Sequence, residues 1–329
     1  MGEIALIKYL RRLFKSSKKG VVVGIGDDCA IVRIGKRGTC LITTDMLIEG
    51  THFILKECTP KQIGRKAIGR CISDIAAMGC KATFAVVSVG FGRNTTMEFA
   101  REIHHGIKDV AGEYDIEIVG GDITTCRGVL FAKANLPQAR QYAPTIVSVT
   151  MLGEEAGAPP VLRSGANAGD AIMVTGTLGG SILGKHLTFK PRLKEGILLN
   201  TRFKLHSMID ISDGLSTDLC HILEESGVGA VLYEESIPIS EDAKKLSKKT
   251  GKPPLLHALS DGEDYELLFT LSQGEARKLL ANKGGVTQPL HDIKITQIGH
   301  VRKGKGLVMK YANGKAKRIK PTGYEHLLF

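Results

Sequence analysis

Apolar residues in this chain gather into short runs and periodic stripes separated by polar turns. Val21 to Ile25 and Cys40 to Thr43 have the compact apolar character of buried strands, and both end in acids or hydroxyls. Asp27 and Asp28 follow the first run, and Thr43, Thr44 and Asp45 close the second. From Pro60, the residues Ile63, Ala67, Ile68, Ile72, Ile75 and Ala76 recur near the helical period, predicting a helix that Gly79 stops. Strands are then expected over Lys81 to Gly90, over Ile116 to Val119 running into G-G-D-I-T-T, over Val129 to Ala134 and over Thr145 to Leu152. A helix is expected over Thr95 to Gly112, and the first fifteen residues read as an amphipathic helix.

Between Gly153 and Asp170, Gly, Ala and Pro displace the periodicity and mark a boundary. Beyond it, A-I-M-V-T-G reads as a strand, I-D-I-S-D-G leads into a helix near Leu215, and Glu241 to Lys252 is a charged surface helix with its turn. L-S-D-G-E-D-Y-E-L-L-F-T enters another strand, and the basic tail forms a hairpin turning at Asn313 and Gly314. With 329 residues, the chain divides into a domain over 1–152 and a second over 153–329.

Composition narrows the function class. A formal charge of +11 favours anionic partners, which include nucleic acid, acidic membrane surfaces and small phosphorylated ligands. Aromatics make up 5% with no Trp, and no zinc-finger, RNA-recognition or single-strand stacking signature occurs, so small phosphates rank above nucleic acid. The seven cysteines are odd in number and never form a C-x-x-C pair, which argues against a disulfide framework or a zinc site and for a reducing cytoplasm. No signal-peptide pattern and no bilayer-length apolar run is present, so no membrane association is expected.

The candidate chemistry lies in recurring acidic clusters. One G-D-D in isolation is accounted for by a Gly/Asp turn, but the pattern returns along the chain. Asp74 falls near a helix C-terminus, where a carboxylate opposes the helix dipole unless a cation compensates; a solvated surface Asp is the open alternative. Gly120 and Gly121 present Asp122 with Thr124 and Thr125. Asp210, Ser212 and Asp213 precede a helix N-terminus, a natural place for polyphosphate or its metal, although an ordinary Asp/Ser cap looks the same. Four acids, Asp261, Glu263, Asp264 and Glu266, stand just before an apolar strand, where ionised groups are costly unless paired or ligand-bound.

Gly179 to Lys185 fits G-x-x-x-x-G-K, but His186 stands where a phosphate loop needs Ser or Thr, and a glycine-rich entry to a packed helix explains the same residues. Tyr324 and His326 near the C-terminus are placed to meet a ligand or to pack. If Asp28, Asp45, Asp74, Asp122 and Asp213 converge, they repel by roughly 4 kcal/mol per pair at 4 Å and an effective dielectric near 20, so convergence requires divalent metal. Magnesium, which prefers a few carboxylates plus substrate phosphates, then makes direct phosphoryl transfer the expected chemistry.

The ordered segments G-I-G-D-D-C-A, T-T-D-M-L-I-E-G-T-H-F, I-S-D-I-A-A-M-G, V-G-G-D-I-T-T, L-R-S-G-A-N-A-G-D, V-T-G-T-L-G, I-D-I-S-D-G-L-S-T-D-L and D-G-E-D-Y-E-L-L-F-T resemble those of the thiamine-monophosphate kinase family, over Gly24 to about Phe329. The wider superfamily of aminoimidazole ribonucleotide synthetase, selenophosphate synthetase and a hydrogenase-maturation protein shares fewer of them. The resemblance implies ATP-dependent transfer of the γ-phosphoryl group to thiamine monophosphate, giving thiamine diphosphate and ADP without a phosphoenzyme. It also implies an α+β N-terminal domain with a mixed sheet that pairs with that of a second subunit in a homodimer, and a C-terminal α/β domain closing over the nucleotide.

Matched position by position, Asp28, Thr43, Thr44, Asp45, Asp74, Asp122, Asp210 and Asp213 correspond to magnesium ligands, with Asp45, Asp74, Asp122 and Asp213 central to catalysis. Gly121, Asp122, Arg163 and Ser212 correspond to nucleotide contacts, and His52, Glu263 and Tyr324 are assigned to the thiamine side. Cys71, where the family usually has Asn, and Ser260–Asp261, where it usually has Gly-Gly, depart from the pattern. They leave room for another ATP-dependent enzyme of the superfamily with a different acceptor, or for a non-catalytic thiamine diphosphate or nucleotide sensor.

Overall fold

The computed structural model describes residues 3–14, 20–34, 38–92, 95–126, 143–281, 290 and 293–324. Its first half forms β1 (Val21–Val23), β2 (Ala30–Ile34), β3 (Gly38–Ile48), β4 (Lys81–Gly92), β5 (Glu117–Cys126) and β6 (Ile146–Glu154), joined in one sheet of order β1-β2-β3-β6-β4-β5. β4 and β5 run parallel, as their helical connection α3 (Met97–Glu113) requires, and the other pairs are antiparallel. β2 is an addition to the predicted elements, and the strand expected over Val129 to Ala134 lies outside the described residues.

Two strands extend further than the apolar runs suggest. Thr43, Thr44 and Asp45 lie within β3 instead of beyond its end, and G-G-D-I-T-T lies inside β5. Strand alternation accounts for the first: Leu41, Thr43 and Leu47 are buried on the helix-covered face, while Thr44 and Met46 are exposed on the other. For β5, the glycine that looks like a strand breaker is a packing requirement. A Cβ on Gly121 would stand 1.8 Å from the Val87 carbonyl oxygen of β4.

α2 (Pro60–Ala77) starts with a capping box between Thr59 and Gln62 and with Pro60 in its first turn. It packs on α3 through two glycines: a Cβ on Gly64 would lie 1.9 Å from the Ile103 carbonyl oxygen, and one on Gly106 would lie 2.0 Å from that of Lys61. Ile63, Ile68, Ile72 and Ile75 are each 0% exposed, contributing about 1.5–3 kcal/mol apiece through apolar burial.

The second half forms β7 (Ala171–Thr175), β8 (Leu205–Asp210), β9 (Gly229–Tyr233), β10 (Leu267–Leu271), β11 (Ile295–Arg302), β12 (Gly306–Lys310) and β13 (Ala316–Ile319) in the order β13-β12-β9-β11-β7-β10-β8. β12 pairs parallel with β9, and β12 with β13 is the hairpin expected at Asn313 and Gly314. Ala171, Met173, Leu267, Phe269 and Leu271 enter the core that holds α2 and α3. Their alternates Ile172, Val174 and Leu268 enter a second core with α6 (Leu215–Ser226) and α8 (Pro254–Ser260). α2 therefore lies in a core common to both sheets. β6 ends at Glu154, close to the expected domain boundary, and the linking segment carries Arg163.

Candidate active site

Helical spacing puts Lys66, Arg70, Ser73 and Asp74 on one stripe of α2, at i, i+4, i+7 and i+8. Each meets a residue from another element. Lys66 pairs with Glu263 at 2.5 Å, Arg70 with Asp45 of β3 at 2.9 Å, and Ser73 Oγ donates to Asp210 at the end of β8 at 2.5 Å. Asp74 accepts from the Thr43 hydroxyl of β3.

At the C-terminal end of the stripe, one carboxylate oxygen from each of Asp28, Asp74 and Asp210 lies within 4.8 Å of the others. Two ionised carboxylates at that distance repel by about 3–4 kcal/mol at an effective dielectric of 20. Burial, and then Asp45, Asp210 and Asp28, push Asp74 well above the usual carboxylate range. Burial and then Asp28 push Asp210 up to about 7. Asp28 is clasped by Arg163, whose Nη2 and Nε donate at 2.6 and 3.2 Å, while the Arg163 backbone N–H donates to Asp27 at 3.2 Å. Burial and Asp28 raise Asp27 to about 6. Three carboxylates with a neighbouring hydroxyl form an all-oxygen donor set that suits magnesium.

Next to this hub, a cavity of about 330 Å³ is lined by Arg163, Ser212, Asp213, Asp218, His221 and Tyr324, among others. Asp218 accepts from the backbone N–H groups of Asp213 and Gly214 at 3.1 and 3.0 Å, fixing the entry to α6. Asp213, Asp218 and His221 form a second group with ligand atoms within 4.8 Å. The N-terminal helix α1 (Glu3–Leu13) contributes Ile7, Lys8 and Arg11 to the cavity wall and is held to α6 by Lys8–Glu224 and Arg11–Glu225 pairs of 3.1 and 2.6 Å.

At the other end of the α2 stripe, His52 and Glu263 meet through Lys66, which also donates to the His52 carbonyl at 2.7 Å. The His52 Nδ1 accepts from the Ile48 N–H at 3.0 Å, which places the proton of the neutral ring on Nε2. Tyr324, expected on the thiamine side with these two, lines the cavity wall shared with Arg163 and Ser212, where its N–H donates to the Asp213 carbonyl at 2.9 Å.

Two expected metal ligands do not face the hub. Thr44 lies on the opposite face of β3 and bonds to Thr150 and the Val149 carbonyl. Asp122 stands in register with Ser88, on the same outward face, and Gly121 serves the β4–β5 approach. Strand parity causes both outcomes, since adjacent residues point to opposite faces.

All four acids before β10 are held by internal partners, Glu263 by the Lys66 pair already described. Asp264 accepts from the Gly179 N–H and Ser181 hydroxyl, Asp261 from the Gly180 N–H, and Glu266 from Arg192, Lys185 and Thr175. The lysine of the phosphate-loop-like segment is thus an ion-pair partner of Glu266. The departing Cys71 is fully buried, its thiol donating to the Val149 carbonyl at 3.3 Å. His326 lies outside the described residues. Sequence reasoning missed Lys66, Arg70, Ser73, Asp218 and His221; the helical spacing of the first three with Asp74 was the available signal.

Comparison with known proteins matches two family models in tandem: AIR synthase related protein, N-terminal domain, over residues 26–154, and AIR synthase related protein, C-terminal domain, over 165–312. A thiamine-monophosphate kinase from Rhodopirellula baltica is 36% identical over 331 residues, covering 98% of this chain and 97% of the relative. One from Bacillus subtilis is 30% identical, covering 93% and 94%. Among solved structures, AaThiL complexed with AMPPCP and TMP superposes with a TM-score of 0.79 at 29% identity, covering 99% of this chain and 97% of the other. A HypE–HypF complex, at 18% identity and a TM-score of 0.72, shares the fold.

Proposed function

This chain belongs to the thiamine-monophosphate kinases of the AIR synthase related family, and from that premise we propose how its residues divide the work. It is an ATP-dependent kinase that transfers the γ-phosphoryl group to thiamine monophosphate, giving thiamine diphosphate and ADP. The observation that carries the residue assignment is the meeting of Asp28, Asp74 and Asp210 within 4.8 Å, linked through the Arg163 that clasps Asp28 to a cavity also lined by Ser212 and Asp213.

Asp28, Asp74 and Asp210 are the proposed magnesium ligands, with Thr43, Asp45 and Asp213 close by; Thr44 and Asp122 are left out of this set. Bound there, the metal supplies charge neutralisation for the polyphosphate. Arg163 and Ser212 orient the nucleotide, Tyr324 borders the same cavity, and His52 with Glu263 receives the acceptor. A phosphate acceptor is already anionic at neutral pH, so positioning takes the place of a strong general base, consistent with direct transfer and no phosphoenzyme.

A homodimer through the N-terminal sheet is part of this reading. Met46, Phe84 and Val86 are 49%, 43% and 40% exposed on the sheet face turned away from α2, an apolar surface that a second copy would cover. The cysteines among the described residues are free, which supports the cytoplasm as the compartment, and no described helix is long and apolar enough to cross a membrane.

The decisive assay incubates the protein with ATP, magnesium and thiamine monophosphate and follows phosphorus resonances. Thiamine diphosphate formed in step with ADP is expected. ATP loss without it would point to another acceptor, and binding without turnover to a sensor.

A further inference from the structure

Lys66 has no part in the roles assigned above, yet it is among the most completely buried side chains of the molecule, at 0% exposure. A lysine ammonium is strongly hydrated, and burying it is costly unless its donors are met. Here they reach two separate segments: Glu263 Oε1 at 2.5 Å, from the segment between α8 and β10, and the His52 carbonyl at 2.7 Å, from the segment between β3 and α2. Both partners are the residues read above as acceptor contacts, and this inference rests on that reading.

The backbone gives an independent indication of constraint. Glu263 and Tyr265 have φ of 52° and 51°, in the left-handed region that residues with side chains seldom occupy. The segment is held there by the Glu263 and Tyr265 N–H groups, which donate to the carbonyls of Ser212 and Ile211 at 2.7 and 2.9 Å. The Tyr265 ring stacks on Phe189 at 3.8 Å between centroids, and the Lys66–Glu263 pair closes the set. Lys66 is also the first member of the α2 stripe whose last member, Asp74, belongs to the carboxylate hub. Eight residues at 1.5 Å rise put the two about 12 Å apart along a rigid helix.

We propose that Lys66 is a positioning residue for the acceptor: it ties His52 and Glu263 into one subsite and, through α2, sets that subsite at a fixed distance from the carboxylates that face the nucleotide. No proton or phosphoryl group passes through it. Glu263 keeps a side-chain exposure of 30%, so its carboxylate retains access to water when Lys66 is removed.

Two full-length variants test this, Lys66→Met, of matched length without donors, and Lys66→Gln, which keeps a donor. Amide hydrogen exchange in the free protein is the first readout. In Lys66→Met, exchange at His52, Glu263 and Tyr265 should quicken by about tenfold or more while β7 and β10 stay protected. Kinetics are the second: KM for thiamine monophosphate should rise by about tenfold, KM for ATP should stay within about twofold, and Lys66→Gln should fall between. Unchanged exchange at the two segments, exchange quickened throughout, or both KM values moving together would overturn the proposal. If the wild-type protein fails to phosphorylate thiamine monophosphate, the acceptor reading fails alone, and the exchange experiment still decides whether Lys66 ties the two segments.

Discussion

Replacing Asp210 by Asn should make the metal-free protein more stable, the reverse of what removing a buried hydrogen-bonded residue normally does. Asp210 is 3% exposed, and burial with Asp28 raises it from an ordinary 3.8 to about 7. Below the unfolded value the group is protonated in both states and carries no penalty. As pH rises through the window from 3.8 to about 7 the unfolded chain ionises first, so folded stability is lost, and above the window the loss is complete. A shift of that size corresponds to roughly 4 kcal/mol, with about half of it already present near pH 5.5.

Asn is neutral, has nearly the same shape, and its carbonyl oxygen accepts the Ser73 hydroxyl that now donates to Asp210 at 2.5 Å. Thermal unfolding of wild type and Asp210→Asn, near pH 5.5 and near pH 8, with and without magnesium, measures the effect. Without metal the variant should unfold several degrees higher near pH 8, with a smaller gap near pH 5.5. With metal the wild type should gain stability, most at the higher pH because fewer protons need displacing, and the variant should gain little. A variant no more stable than wild type without metal near pH 8, or one stabilised by magnesium to the same extent, would refute the reasoning.

Gly121→Ala should destabilise the protein by about 1–3 kcal/mol, because the new methyl meets the Val87 carbonyl oxygen at 1.8 Å. Gly120→Ala, whose nearest neighbour is a Val86 methyl at 3.8 Å, should cost far less, and urea midpoints for the two compare them directly. Lys185→Met should lower stability by about 1–3 kcal/mol through loss of its contact with buried Glu266 while leaving KM for ATP unchanged, since Arg192 still holds that carboxylate. A KM for ATP raised by more than about tenfold would restore the phosphate-loop reading of the segment. Phe84→Glu should shift the hydrodynamic mass of a dimer toward that of one chain without unfolding it, because Phe84 is 43% exposed on the outer sheet face.

The sequence pattern carried the elements and the acids but not the direction in which side chains point. Pro60 to Gly79 reads as a helix because its apolar positions keep the helical period, and α2 spans Pro60–Ala77. The run at Cys40 reads as ending at Thr43 because polar residues follow, yet β3 continues to Ile48. Polar side chains inside a strand are invisible to a rule that looks for apolar runs, and parity then separates Thr43 from Thr44 and Gly121 from Asp122. The acids near β10 were similarly ambiguous. Their density suggested ligands, but the cations that hold Glu266, Arg192 and Lys185, lie far away in sequence, so only folding shows that this acid is internally neutralised.

The same separation in sequence explains how the site remains foldable before any ligand arrives. Five of its acids divide into two kinds. Asp28, Asp45 and Glu263 each face a cation, Arg163, Arg70 and Lys66 respectively, so their charge is offset within the chain. Asp74 and Asp210 take hydroxyls, Thr43 and Ser73, and are the two that burial and neighbouring carboxylates push strongly upward, which favours protonation as the way to relieve their repulsion in the free protein. A divalent ion held at the proposed hub would take over the role of those protons. Three of the residues that make this possible, Lys66, Arg70 and Ser73, share the face of α2 with Asp74. The helix buried between the two sheets is therefore what holds charge compensation for the proposed acceptor and metal sites in one rigid frame, and its polar stripe is as much a part of that arrangement as the acids it meets.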